Sequence, residues 1–286
     1  MPTLYVVATP IGNLQDFSPR AVDTLKRVGL IAAEDTRVTM KLCQVFDIHT
    51  PLVSCHQHNE EQRAERLAER MLSEGIDLAL VTDAGTPCVS DPGFGLARAC
   101  IERGMEVIPV PGCCAGVAAL SVSGFDAREW AFYGFLPREK KDLRDKLRQM
   151  AEGVPVAIVH ESPYRIIALM EAIAETLPEA LVSVSCDLTK LHEKTLRGAP
   201  AEVLEQLRAN PKTEKGEYCL VIDLHTVSHH DEKPQAAPLT LEQRLTDKVL
   251  QGLSLREAQE AIALEGEKKN AVKAAALRLK QAWAEA

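Results

Sequence analysis

The chain has 286 residues, 33 Lys+Arg against 41 Asp+Glu, and a formal net charge of −8. At roughly 100–200 residues per domain this length suggests about two domains, and 46% apolar with 26% charged residues excludes a disordered chain. An acidic balance argues against a nucleic-acid partner unless positive charge is concentrated locally, and no apolar run approaches the roughly 18 residues that cross a bilayer.

In chain order, Leu4–Ala8, Leu30–Ala33, Ile76–Thr82 and Glu106–Val110 are nearly continuous apolar runs, the pattern of strands buried on both faces of a parallel sheet. Helices are expected between them at Ser18–Arg27, Thr39–Phe46, Glu60–Glu74 and Gly93–Arg103, giving an α/β domain over residues 1–112. Met1 to Pro19 holds no Lys or Arg, so no secretory leader is expected. A second α/β domain is expected over 113–225, with an aromatic segment at Trp130–Phe135 and strands at Val154–His160, Leu181–Cys186 and Tyr218–Leu224. Its helices are expected at Ala115–Val122, Arg138–Met150, Pro163–Thr176 and Ala201–Arg208. The polar, Pro-containing stretch 226–238, with His229 and His230, reads as a linker. Residues 239–286 read as a helical tail, in which Thr240/Gln243 and Ser254/Glu257 have capping-box spacing.

Three loops at strand carboxyl ends, where open α/β sheets bind ligands, stand out. They are Thr9-Pro10-Ile11-Gly12-Asn13-Leu14-Gln15-Asp16; Asp83-Ala84-Gly85-Thr86-Pro87, running on to Ser90-Asp91-Pro92-Gly93; and Pro111-Gly112-Cys113-Cys114-Ala115-Gly116. Small residues let a ligand approach backbone amides, and helix starts favour anionic groups; the plainer reading makes them tight turns with Asp83 and Asp91 as caps. No G-x-G-x-x-G or G-x-x-x-x-G-K-[ST] is present, which disfavours a nicotinamide dehydrogenase or a P-loop nucleotidase. Polar clusters at other strand ends are Glu34-Asp35-Thr36-Arg37, His160-Glu161-Ser162 with Arg165, Leu188-Thr189-Lys190 and Lys215-Gly216-Glu217. The eight cysteines form no C-x-x-C pair and the histidines no H-E-x-x-H. Reduced thiols in a cytoplasmic protein without a metal site are therefore expected.

The segments T-P-I-G-N-L-x-D (9–16), A-E-D-T-R (33–37), D-A-G-T-P (83–87) and K-G-E (215–217), in this order, resemble the bacterial small-subunit ribosomal RNA methyltransferase I family. That family methylates a cytidine 2′-hydroxyl in the decoding region. The resemblance implies the two-domain α/β fold of tetrapyrrole methylases, class III of the S-adenosylmethionine methyltransferases, with a small helical module at the C-terminus. It implies S-adenosyl-L-methionine as cofactor, held by Pro10, Asp83, Ala84, Gly85, Thr86, Val89, Cys114 and Ala115. Catalytic candidates by the same resemblance are Asn13, Asp16, Arg37, Glu161, Arg165, Lys190 and Glu217, and a homodimer is usual in this fold class. Where the family commonly has Arg-Glu-Leu-Thr-Lys, this chain has Cys186-Asp187-Leu188-Thr189-Lys190, which removes a positive charge.

In-line methyl transfer rests on alignment, and a Lys or Arg can stabilise the developing alkoxide while a carboxylate accepts the proton. Lys190, with Glu161 and Arg37, is expected to do this; the same groups could instead form ion pairs that hold the domains together. Small-subunit ribosomal RNA or the assembled small subunit is the expected partner, and no membrane. Local charge reconciles this with −8: Arg138, Lys140, Lys141, Arg144, Lys146 and Arg148 form one basic run, and Lys268, Lys269, Lys273, Arg278 and Lys280 another. The rival readings are a tetrapyrrole or other small-molecule methylase on this fold, and a non-catalytic RNA- or ribosome-binding protein.

Overall fold

Burial on both faces explains most of the unbroken apolar runs of the first lobe, Glu106–Val110 being the exception at the sheet edge. A computed structural model, describing residues 1–55, 60–227 and 239–284, forms them into β1 (Thr3–Val7), β2 (Leu30–Ala33), β3 (Leu52–Ser54), β4 (Leu78–Val81) and β5 (Glu106–Val110). They make one parallel sheet in the order β3-β2-β4-β1-β5. Its helices are α1 (Pro19–Arg27), α2 (Thr36–Val45), α3 (Glu60–Glu74) and α4 (Phe94–Glu102). Alternate side chains go to opposite faces: Leu30, Ala32, Leu78 and Leu80 pack on Leu67 and Met71 of α3 and Leu96 of α4. Ile31, Ala33, Ala79 and Val81 pack on Ala21 and Leu25 of α1 and Cys43 of α2. Helix α2 begins at Thr36, three residues earlier than the expected Thr39, because the Asp35 carboxylate accepts the Arg37 N–H at 2.8 Å and caps it.

The second lobe is built from β6 (Ala131–Phe135), β7 (Val156–Glu161), β8 (Leu181–Cys186), β9 (Lys194–Gly198) and β10 (Tyr218–Asp223). Their order is β6-β7-β10-β8-β9; β6 and β7 run parallel and the other neighbours antiparallel. Helices α6 (Lys140–Gly153), α7 (Ile166–Thr176) and α8 (Pro200–Ala209) cover one face, over Ala157, Val159, Leu220 and Ile222. Helix α5 (Ala115–Ser121) covers Val156, Ile158, Cys219 and Val221 on the other. The strands of both sheets belong to one compact unit, Met1–His229; the other unit is His230–Ala286.

In that second unit α9 (Leu241–Leu250), α10 (Leu255–Leu264) and α11 (Lys269–Ala284) close around Leu245, Ala258, Ile262, Val272, Ala275 and Ala276. Both expected capping boxes form, with Thr240 accepting from the Gln243 N–H and Ser254 from the Glu257 N–H. Residues 228–238, most of the expected linker and its two histidines, lie outside the described residues. No described helix is long and apolar enough to cross a membrane.

Strands β4, β1 and β5 are neighbours, so the three Gly-containing loops that leave their carboxyl ends lie side by side. Gly93, at the start of α4, holds the second of these loops in place. Its φ is +129°, and a Cβ there would stand 2.5 Å from Leu80 Cδ2 in the core. Gly93→Val is therefore expected to cost about 3 kcal/mol, seen as a fall in Tm of roughly 6–12 °C; an unchanged melt would refute this packing.

Candidate functional site

Hydrogen bonds lock the three loops together. Thr9 and Gly85 exchange backbone bonds at 2.9 and 3.1 Å, and the Thr9 hydroxyl donates to the Thr82 carbonyl at 3.1 Å. Thr86 Oγ1 donates to the Cys113 carbonyl at 2.9 Å. Gly85 has φ +93°, a conformation glycine adopts without penalty, and the position of its absent Cβ faces Ile11 Cγ2 at 3.5 Å.

A cleft of about 240 Å³ opens beside these loops, walled by Ile11, Ala84, Val89, Ala115, Phe132 and Ile158. A second compartment of about 400 Å³ shares Ile11, Ala84, Val89, Asp91, Ala115 and His160 with it and extends past Glu161 to Leu188 and Glu217. One lobe supplies the loops and the other supplies Phe132, Ile158 and His160. Of the residues expected to hold a cofactor, Ala84, Gly85, Thr86, Val89, Cys114 and Ala115 line the first compartment. Pro10 and Asp83 line a separate apolar hollow of about 290 Å³ beside Leu14, Val38 and Val45.

Lys190 lines neither compartment itself and is tied to the second through Glu217. Its Nζ donates to Asp187 Oδ1 at 2.9 Å and to Glu217 Oε2 at 3.1 Å. Burial opposes the charge on this ammonium, but the bonds to Asp187 and Glu217 outweigh it and the pKa is raised, so Lys190 is a cation at neutral pH and no base. Its stem lies over Gly12, where a Cβ would meet Lys190 Cγ at 2.5 Å. This contact ties the first loop to the turn after β8, in which Asp187 and Thr189 take φ of +53° and +66°.

The remaining candidates divide. The Glu161 side chain is fully buried; Oε1 accepts the Ser162 N–H at 2.8 Å and Oε2 lies 3.3 Å from Arg165 Nη2. Oε2 has no hydrogen bond of good geometry, so the 3.3 Å approach is an ion pair by proximity. Arg165 also donates to the carbonyls of Leu136 and Pro137, at 3.3 and 3.0 Å, and so braces the turn after β6. Arg37 is 86% exposed and forks onto Asp35. That guanidinium holds the Asp35 carboxyl down at about 2, and Arg37 lines neither compartment. Asn13 caps the single 3-10 turn Leu14–Asp16 through the Gln15 N–H, and the Asp16 side chain faces solvent. Thus the structure brings Lys190 and Glu217 together, with Glu161 along the same wall, while Arg37, Asn13 and Asp16 serve local turns.

Three groups lie in segments noted from sequence but outside the catalytic and cofactor-holding candidates. Asp187 pairs with Lys190 and was legible only as an acid three residues before a lysine. His160 lines both compartments, edge-on to Phe132 at a centroid distance of 5.1 Å, and burial holds its imidazole below the usual value. Asp91 lines both compartments too, two residues before Gly93, the N-cap of α4. Cys186, in the position of the family's arginine, has a thiol pushed up by burial. No group of three or more His, Cys, Asp or Glu side chains among the described residues is placed to hold a metal.

This architecture has relatives. The profile of the family described as Tetrapyrrole (Corrin/Porphyrin) Methylases matches residues 3–204. The chain is 40% identical over 266 residues to ribosomal RNA small subunit methyltransferase I of Bacillus subtilis, covering 93% of this chain and 90% of that one. It is 43% identical over 230 residues to the protein of that name from Escherichia coli O157:H7, covering 80% of each. Among solved structures, diphthine synthase superposes with a TM-score of 0.60 at 10% identity, covering 78% of this chain and 90% of that one. Uroporphyrin-III C-methyltransferase from Thermus thermophilus, complexed with S-adenyl homocysteine, gives 0.54 at 16% identity, covering 78% and 97%. With a profile match across both lobes and close relatives along nearly the whole chain, the protein belongs to the tetrapyrrole methylase family, in its branch of ribosomal RNA small subunit methyltransferases I.

Proposed function

We propose that this chain transfers a methyl group from S-adenosyl-L-methionine to the 2′-hydroxyl of a cytidine ribose in small-subunit ribosomal RNA. The observation that carries this reading is identity of about 40% over 93% of the chain to proteins named for small-subunit RNA methylation. The cleft fits the cofactor: its larger compartment, about 400 Å³, falls within the roughly 300–1,000 Å³ of ligand pockets and opens onto the smaller one of about 240 Å³, with small loop residues on one side and apolar walls on the other. Ala84–Thr86, Val89 and Cys114–Ala115 would hold it there, with Pro10 and Asp83 supporting the loops from behind. The cofactor supplies an electrophilic methyl on a sulfonium. Lys190 donates an N–H to the ribose oxygen as negative charge develops, and the Glu217 carboxylate, exposed and 3.1 Å from that ammonium, takes the hydroxyl proton. When bound, the cofactor would give up this methyl carbon to the ribose oxygen and keep the carbon–sulfur electron pair on its own sulfur. Glu161 and Arg165 fix the wall against which the substrate lies.

The tail supports an RNA substrate through its own surface. Arg244 and Lys248 pair with Glu265, Arg244 also with Glu267, and Arg278 with Glu242. Lys268, Lys269, Lys273 and Lys280 are exposed and pair with no carboxylate among the described residues, leaving them for phosphates. In α6, by contrast, Arg144 and Arg148 are paired and Lys146 lies over the Tyr133 ring. Replacing the four free lysines by glutamine is expected to weaken RNA binding about tenfold or more near physiological salt, and to flatten its salt slope by up to about four phosphates' worth; filter binding against salt checks it, and an unaltered slope rules the surface out. A homodimer in the cytoplasm is the proposed working form, to be checked by analytical ultracentrifugation and fractionation.

The deciding experiment offers labelled methyl donor with undermethylated small subunits, free ribosomal RNA and a tetrapyrrole precursor in parallel. Label on an RNA ribose is expected. Label on the tetrapyrrole would overturn the substrate, and cofactor binding with no label on any acceptor would overturn the reaction.

A further inference from the structure

Asp91 stands out among the ionisable groups of the cleft because nothing described there neutralises it. It lines both compartments, and no cation among the described residues pairs with its carboxylate. The neighbouring acids are provided for: Glu34 accepts from the Thr82 hydroxyl at 2.5 Å and the Asp83 N–H at 3.3 Å, and Asp83 accepts the Asp35 N–H at 3.1 Å. The loop that carries Asp91 is also unusual. Cys88 and Ser90 both take a φ of +67°, and Ser90 Oγ lies 2.9 Å from where a Cβ on Gly134 would stand. Gly134 sits at the irregularity in β6, on the opposite lobe. Non-glycine residues in this conformation persist where the surroundings over-determine them, commonly at ligand clamps. Here the strained loop is wedged against the second lobe with its one carboxylate in the cleft wall.

We propose that Asp91 recognises the positive charge of the methyl donor, so that the cleft favours the sulfonium cofactor over the neutral thioether left after transfer. This rests on the cofactor reading given above. The two ligands differ only by the methyl group and its charge, so shape and hydrogen bonding alone discriminate little between them. A carboxylate in a partly dry wall does, because its attraction to a cation is only weakly screened. Loss of that attraction when the methyl group leaves also assists product release.

Linkage gives the proposal a pH signature. Burial, followed by repulsion from Glu34 and Asp83, pushes the Asp91 carboxyl up to about 6. A bound cation stabilises the ionised form and lowers that value, so binding the sulfonium expels a proton near pH 6 and its affinity rises with pH up to that point. The thioether does neither. On the second lobe the ionisable groups lining the shared cleft are His160, Glu161, Glu217, Tyr218 and Cys219, with Cys114 of the connecting loop at its margin. Burial pushes the Tyr218 hydroxyl well up and the Cys219 thiol up to about 12, so both stay neutral. His160 loses its charge below its ordinary value, so at pH 7.5 it is neutral and the contrast between the ligands falls on Asp91.

Isothermal titration of the full-length protein with S-adenosylmethionine and with S-adenosylhomocysteine, at pH 5.5 and 7.5 and in two buffers of different ionisation enthalpy, tests this. In the wild type the donor-to-product affinity ratio is expected to rise with pH, with proton release on binding the donor alone near pH 6. Asp91→Asn is expected to lower the ratio at pH 7.5 about tenfold while product affinity stays within about twofold, and Asp91→Glu is expected to restore most of it. A wild-type ratio indifferent to pH, or an Asp91→Asn ratio equal to wild type at pH 7.5, overturns the assignment and leaves the cofactor reading standing. A wild type that binds neither ligand overturns both.

Discussion

Equilibrium dialysis of a Gly85→Arg variant is expected to show S-adenosylmethionine affinity reduced by roughly a hundredfold or more, with the protein still folded. Two separate effects add, each on the order of tenfold. The new side chain grows from the point where the first two loops exchange backbone bonds, past Ile11 Cγ2 at 3.5 Å, into a cleft of about 240 Å³, and it brings a cation to the place proposed for a sulfonium. The backbone penalty is modest, because leaving glycine at φ +93° costs about 1 kcal/mol. Gly85→Ala separates the two terms: it carries the backbone penalty, its Cβ makes only ordinary contacts, and its affinity should stay within a few-fold of wild type. Undiminished binding by a folded Gly85→Arg would mean that the cofactor lies elsewhere.

The three loops were legible in the sequence because glycine and proline punctuate the ends of strands that are themselves conspicuous. Leu30–Ala33, Glu106–Val110 and Leu181–Cys186 form β2, β5 and β8 with the expected ends; in β2 every residue is buried, so no polar side chain blurs its limits. The strands that escaped notice are β3, β6 and β9, all at sheet edges, β6 being legible only as an aromatic segment. Lys194-Thr195-Leu196-Arg197-Gly198 sends Leu196 toward the core while Arg197 reaches the Val122 carbonyl, at 2.5 Å from Nη2; such a half-polar edge resembles a loop in composition. For the site, sequence identified which strand ends carry polar clusters. It could not tell which of them share a wall. Asp35–Arg37 and Glu161–Arg165 look alike as acid–base pairs in the chain, yet one is a solvent-facing cap on α2 and the other a buried brace. His160 and Asp91 are visible in the sequence as members of a polar cluster and of a loop, but their shared position arises from β7 and the strained 88–91 loop meeting across the cleft, a tertiary fact.

Lys190→Ala is expected to slow methyl transfer about 10²–10³-fold, the usual effect of removing a single group that stabilises an oxyanion, while S-adenosylmethionine affinity changes less than about threefold. The separation follows from placement: Lys190 stands among Asp187, Glu217 and Gly12 rather than in the apolar wall that would hold the adenosine. Because its pKa is raised above the usual lysine value, the cation is present through the whole range in which RNA is stable, and no rising limb in the pH–rate profile should belong to it. Gly12→Ala gives an independent check. A Cβ at this position meets Lys190 Cγ at 2.5 Å and the Leu188 carbonyl at 3.2 Å, and Gly12 has no left-handed φ to strain, so the methyl group must push the lysine aside without deleting its charge. Single-turnover rates in Gly12→Ala should fall about tenfold or more, since a displacement near 1 Å can cost up to about a hundredfold. If Lys190→Ala turned over at the wild-type rate, Lys190 would be a strut between the Gly12 loop and the Asp187 turn. Loss of rate in Lys190→Ala alone, with Gly12→Ala unaffected, would mean that its charge matters and its position does not, contrary to the geometry of an aligned displacement.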